Sequence, residues 1–381
     1  MNPTTVLSNV RDIAGAFAAA RKERQLRRHL DPADFAQLRE AGFLLTGVPV
    51  AQGGLWAGVR ESTRPLCEIL RVLGSGDPSV ALVSSMHPAV LAFWLATPEV
   101  DAASQQAWDA QRATLAQSAL DGAWWGTIVS EPGSGGDITK SKMAAVRDGE
   151  QYRLTGAKHF GSGSGVTSYM ITTALPDGEQ PDLFYMDVRN VPWDGSKGMK
   201  LVAEWDGHGM SATQSHAMAF ENFPATRCAW PANLMSLVLA SGPYVSCSFT
   251  AVIVGIIDAA IEAAQQQLRG RHDALRPYEQ VEWTRAEMEA WLVRQAFEGM
   301  LRAVEDGRDP LRSVLQGKET IAELAESILG RICKVIGGGT FSRNSPFGFW
   351  YEDVRALGFL RPPWGLAFDQ LFLTSPIHAE P

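Results

Sequence analysis

Helical patterning fills the chain to about residue 122, gives way at Trp124 to a stretch rich in Thr, Val, Tyr and Gly, and returns after Pro231. That order excludes the strand–helix alternation from which parallel-sheet nucleotide-binding folds are wound. What it leaves is an α+β chain with its sheet in the middle. Turns at Asp148-Gly149, Pro176-Asp177-Gly178 and Trp193-Asp194-Gly195, and alternating runs at Tyr152-Arg153-Leu154 and residues 183–188, divide the middle stretch into short strands. Three domains are expected: helical over 1–122, β over 123–228 and a helical bundle over 229–381.

The helices read as follows. Residues 6–30 carry an apolar face and end in the basic run Arg21 to Arg28, expected to be a solvated helix end. Asp31-Pro32 opens the next helix and Gly42 stops it; further helices are expected at 60–73, 78–95 and 98–120. The last third holds helices at 238–269, 280–306, 318–336 and 346–357, with room after Gly365 for one more. With 45% hydrophobic residues, 381 positions suffice for a large core. A formal net charge of −8 gives no general attraction to nucleic acid or anionic membranes. The four cysteines form no CxxC pair and no metal spacing, so they read as buried thiols of a reducing compartment. The first residues lack a leader pattern, and no apolar run is expected to span a bilayer; a cytoplasmic protein follows as the expectation.

Two segments concentrate chemistry. Val129-Ser130-Glu131-Pro132-Gly133-Ser134-Gly135-Gly136-Asp137 and Lys158-His159-Phe160-Gly161-Ser162-Gly163 end strand-like runs in hydroxyl, glycine and aromatic residues. Such residues suit backbone that lies against a flat ligand and hydrogen-bonds it. On the third long helix, His87 stands in the apolar setting Ser84-Ser85-Met86-His87-Pro88. Two roles remain open for it: a packing histidine with its nitrogens satisfied locally, or a group lining a substrate cavity.

Taken with the helix–sheet–helix order, these segments resemble the acyl-CoA dehydrogenase family. Ser130 to Asp137 is similar to the family's T-E-P-x-x-G-S-D, and Lys158 to Gly163 to its K-x-W-I-T-N-G. Residues 205–215 look like its G-M-R-A-T-x-S strand, with Ser211 at the arginine. The resemblance implies an N-terminal α-helical domain, a central β-barrel-like domain and a C-terminal four-helix bundle, assembled as a homotetramer or dimer around FAD. It places Ser130 at the flavin's pyrimidine edge, the Phe160 ring on the isoalloxazine and the Ser162 hydroxyl near N5. It places Arg271 at the pyrophosphate, with Gly337 and Gly338 in a turn approaching the same phosphates. Guanidinium pairs with phosphate in a bidentate way, and glycines clear side chains from backbone amides.

The resemblance stops at the base. Abstracting a thioester α-proton needs a carboxylate, yet Arg361 stands where most members carry glutamate, and the alternative location falls at Val245-Ser246. Three readings follow. The main one is an FAD-dependent oxidoreductase that dehydrogenates an acyl thioester with a displaced base, drawn from Glu352, Asp353, Asp369 or His87, and passes electrons to a partner protein or oxygen. The second is a flavin monooxygenase on the same fold, hydroxylating nitrogen, sulfur or carbon through a flavin hydroperoxide, with His87 and Ser162 as the residues of interest. The third is a partner subunit that does no chemistry.

Overall fold

The computed structural model describes residues 1–360 and 362–378. Six helices come first: α1 (Pro3–Ala19), α2 (Arg21–Arg24), α3 (Pro32–Glu40), α4 (Val59–Gly76), α5 (Pro78–Leu95) and α6 (Gln105–Leu120). Seven strands follow: β1 (Trp125–Thr127), β2 (Ala144–Asp148), β3 (Gln151–Gly161), β4 (Tyr169–Pro176), β5 (Asp182–Asp187), β6 (Met199–Ala203) and β7 (His216–Arg227). The chain then returns to helices: α7 (Leu234–Arg269), α8 (Pro277–Asp306), α9 (Pro310–Ile336), α10 (Phe347–Gly358) and α11 (Trp364–Leu373).

Strands β4, β2, β3, β7 and β5 pair in that order and β5 pairs back with β4, which closes the sheet on itself. Closure removes the open edges that a flat sheet would expose. Inside lie Ile128, Leu154, Phe184, Met186, Met218 and Phe223, a core separate from that of the helices. Strand β1 joins β4 in parallel and β6 joins β7, so the segment leading to Ser130 is anchored on the barrel's rim.

In the helical part, α5 is the centre. Asp77 caps it through Val80 N at 3.0 Å, Pro78 occupies its first turn, and nearly every residue is buried, as expected of a helix apolar on all sides. Helices α4 and α7 touch backbone to backbone, because a Cβ on Gly74 would sit 2.8 Å from Val252 O. By length and composition α5 and α7 could each cross a bilayer, contrary to the expectation from sequence; both are core helices, with 89% of the apolar window buried in each.

The basic run also departs from its expected solvated role. Helix α1 ends at Ala19, and Arg24 turns inward to pair with Asp34 at 2.7 Å and Asp77 at 2.7 Å, its guanidinium 3.6 Å from the Phe17 ring centroid. Two carboxylates and an aromatic face replace the water that it loses. Helix α6 starts at Gln105 rather than at residue 98, and α9 starts at Pro310, where proline suits a first turn.

Candidate active site

Strand β3 pairs with β7 as far as Lys158 and resumes at Gly161, so His159 and Phe160 bulge out of the ladder. A bulge re-aims a side chain. Phe160 takes φ = +58°, a conformation that a bulky residue seldom adopts, and its side chain is left 55% exposed. Ser162 N donates to Phe160 O at 2.9 Å, and His159 N donates to Ser130 O at 2.8 Å. The structure thus brings Ser130, Phe160 and Ser162 together on one rim. Ser130's hydroxyl bonds none of the described residues, which leaves it for a ligand.

Beneath this rim lies a buried ion pair. Lys158 Nζ donates to Glu131 Oε1 at 2.6 Å and to Thr173 O at 2.6 Å, and the Glu131 carboxylate also accepts from Ser141 Oγ at 2.6 Å and Lys142 N at 2.8 Å. Burial raises the Glu131 carboxyl, but hydrogen bonds from Lys158 and Ser141 outweigh it and hold the group below the ordinary range. Each partner is adjacent in sequence to the platform, so the pair fixes both platform strands at once.

Ser162 Oγ lies 2.8 Å from Ser215 Oγ, which lies 2.7 Å from Thr213 Oγ1, which donates to Met210 O at 2.8 Å. All three hydroxyls belong to buried residues. Met210 in turn donates its N–H to Asp353 Oδ1 on α10 at 2.6 Å, and its carbonyl also accepts from Trp205 Nε1 at 2.9 Å. The Trp205 ring meets Phe160 edge-on at 6.0 Å. Residues 205–210 therefore join the platform to α10, and Gly209 packs against the α10 backbone at Glu352 and Asp353 with no room for a side chain. His208 of this loop, with Gly337, Phe341, Arg343, Tyr351 and Glu352 among others, lines a cleft of about 680 Å³.

His87 lies away from any such surface. It is fully buried, donates from Nε2 to Leu44 O at 3.0 Å and accepts at Nδ1 from Trp125 N at 3.2 Å. Burial pushes its imidazole down to about 4, against the pull of the Leu44 bond. It is a neutral packing histidine with both nitrogens engaged, so the cavity-lining role is corrected. Arg271 meets the start of the glycine turn: Nη2 donates to Val335 O at 2.9 Å and Ile336 O at 3.4 Å, capping the end of α9. At Gly337 φ is +95°, and a Cβ on Gly337 or Gly338 would meet nothing within 4 Å, so the turn is an open cradle. Arg361 lies outside the described residues. The backbone flanking it is pinned, because buried Lys318 donates to Gly358 O at 2.9 Å and Pro362 O at 3.0 Å. Pro363 rests on Gly136 of the platform loop.

Two of the candidate replacement bases are engaged by neighbours. Glu352 pairs with Arg355 at 3.0 Å, Asp369 is exposed on α11, and Asp353 accepts from Met210 N. Desolvation pushes the Asp353 carboxyl up to about 7. A metal centre has no support, since the described residues contain no cluster of three or more His, Cys, Asp or Glu able to hold one.

An uncovered aromatic, an uncommitted hydroxyl and an open glycine cradle beside an arginine fit a flavin. Flat rings need stacking, and phosphates need backbone amides and a guanidinium. The frame is that of the flavin-dependent oxidoreductases. The family model "Acyl-CoA dehydrogenase, middle domain" matches residues 126–223. Dibenzothiophene monooxygenase of Mycolicibacterium goodii is 25% identical over 391 residues, covering 92% of this chain and 85% of that protein. Among solved structures, KijD3 in complex with FMN and a dTDP-linked amino sugar superposes with a TM-score of 0.81 at 20% identity, covering 99% of this chain and 94% of that one. The glutaryl-coenzyme A dehydrogenase–glutaryl-CoA complex does so with a TM-score of 0.81 at 16% identity, covering 97% and 94%. The chain shares the fold of these proteins, and its middle stretch matches the acyl-CoA dehydrogenase middle domain.

Proposed function

We propose that this protein is a flavin-dependent monooxygenase acting on a sulfur or nitrogen centre of a small molecule. The observation that carries the reading is the chemistry of the platform wall: hydroxyls at Ser130 and Ser162, with the neighbouring Glu131 carboxylate tied to Lys158. Dehydrogenating an acyl thioester requires a carboxylate within about 3 Å of the α-proton. Arg361 stands at the glutamate's place in the sequence, Glu352 is paired with Arg355, and Asp353 holds Met210 N.

Reduced flavin, when bound, supplies the two electrons that let oxygen deliver one atom to the substrate and the other, with two protons, to water. The chain's own residues do the rest. Phe160, with Trp205 edge-on to it, would cover the ring's face and keep water out, Ser130 would bond the ring edge, and Ser162 would lie toward N5. The cofactor is proposed to be FMN. KijD3 was solved with FMN, which supports that choice. Arg271 and the Gly337 turn mark where the further phosphate of FAD would be held. A cytoplasmic homo-oligomer is proposed as well. The exposed Met288, Trp291 and Leu292 on α8, and Trp364, Phe368 and Phe372 on α11, are apolar surface that a second copy would cover.

The experiment supplies reduced FMN or FAD from a reductase, dibenzothiophene or a dTDP-amino sugar, and ¹⁸O₂. Product carrying one ¹⁸O atom is the expected result. Anaerobic bleaching of bound oxidised flavin by an acyl-CoA, with no ¹⁸O product, would overturn the reading in favour of dehydrogenation.

A further inference from the structure

We propose that Ser215 and Thr213 are positioning residues that make Ser162 a pure hydrogen-bond acceptor toward the flavin, and so bias the site toward the reduced cofactor. The proposal rests on the flavin reading above.

Each hydroxyl in the chain has one hydrogen to give. Thr213 has a single hydroxyl hydrogen, and Met210 O, 2.8 Å away, can only accept it. With that hydrogen committed, the 2.7 Å contact between Thr213 and Ser215 requires Ser215 to donate. Ser215 is then an acceptor for its other neighbour, so the 2.8 Å contact with Ser162 is made by Ser162's hydrogen. The reverse order would set a hydroxyl lone pair against the Met210 carbonyl at 2.8 Å in a buried place, which is the costly arrangement. The carbonyl is itself held still. The Met210 N–H is tied to Asp353 at 2.6 Å, and Gly163 N, next to Ser162, donates to Thr213 O at 2.8 Å. The direction of the whole chain is therefore set from α10.

Ser162 is left with lone pairs only. The N5 of an isoalloxazine is an acceptor when oxidised and carries a hydrogen when reduced. Ser162 can accept from the reduced form and faces the oxidised form lone pair to lone pair.

The test is anaerobic titration of the apoprotein with oxidised FMN and with dithionite-reduced FMN, alongside a melting curve for each variant. In the wild type the reduced form binds more tightly. In Ser215→Ala the Ser162 hydrogen is released to turn toward N5, and the ratio of the two dissociation constants falls about tenfold, the scale of one buried hydrogen bond. Thr213→Val, which removes the fixed end of the chain, moves the ratio in the same direction, and Thr213→Ser restores it. A residue that merely supports the fold would weaken both redox forms alike. A folded Ser215→Ala protein with an unchanged ratio would overturn the proposal while the flavin reading stands. If Ser215→Ala does not fold, an unchanged ratio in Thr213→Val does the same. If neither flavin form binds the wild type, the flavin reading fails and takes this proposal with it.

Discussion

Replacing Lys158 by methionine keeps most of the side chain's volume and removes its ammonium. The group has no exposed surface, and it leaves behind a Glu131 side chain that is 8% exposed, together with the Thr173 carbonyl. Deleting one partner of a buried pair costs about 3–5 kcal/mol. Three donors to Glu131 survive, namely Ser141 Oγ, Lys142 N and Met143 N, so the lower end, about 3 kcal/mol, applies. At about 2.1 cal/mol/K per residue, cooperative unfolding of all 381 residues carries about 0.8 kcal/mol/K, and the melting temperature falls by about 4 °C. If the barrel's roughly hundred residues melt alone, the same loss lowers their transition by about 14 °C. Scanning calorimetry separates the two cases. Adding Glu131→Gln to Lys158→Met removes the stranded charge and recovers about half of the loss. The acid limb gives a second reading. The folded carboxyl is held below its ordinary range, so its contribution is complete above the unfolded value and is lost as pH falls through the folded one. Lys158→Met should shorten that limb. A single variant melting within about 1 °C of wild type, with flavin affinity intact, would refute the assignment of Lys158 as the tie beneath the platform.

Other outcomes are equally checkable. With a folded value of about 4 against an ordinary 6.5, His87 makes the protein lose stability as pH falls from 6.5 to 4, by about 3 kcal/mol; across that window the urea midpoint of the wild type should fall relative to that of His87→Gln, which takes up no proton there. The rate profile should show no limb traceable to His87 near neutrality. Gly209→Ala drives a Cβ into the α10 backbone at Glu352 O, with Asp353 N 3.0 Å away; it should cost about 1–3 kcal/mol in denaturant titration and weaken flavin binding. Phe160→Ala removes an exposed ring, so stability should stay within about 0.5 kcal/mol while flavin affinity, followed by fluorescence quenching, drops about tenfold.

The helix–strand–helix order, α5 from its Asp77-Pro78 start, and the grouping of Ser130, Phe160 and Ser162 were legible because each rests on local chemistry: a cap, a run of apolar residues, a glycine beside a hydroxyl. What was not legible depends on partners distant in sequence. Arg24 sits in a run of cations that looks solvated until the fold delivers Asp34 and Asp77 to it. The bulge that exposes Phe160 exists only relative to β7's register. Ser215 answers Ser162 across 53 positions and Asp353 answers Met210 across 143, distances over which periodicity carries no information. His87 fails as a site residue for the same reason: Leu44 and Trp125 engage its two nitrogens, and neither neighbours it in sequence.

The outward ring of Phe160 also bears on how much protein a cell can keep. An aromatic 55% exposed at a strained backbone position is a sticky spot on the empty polypeptide, and it disappears once a flat ligand lies over it. A ligand at a hundred times its dissociation constant adds about 2.7 kcal/mol to the folded state. Riboflavin supply during expression should therefore govern soluble yield and resistance to proteases, quite apart from turnover, and Phe160→Ala should make yield less dependent on the vitamin.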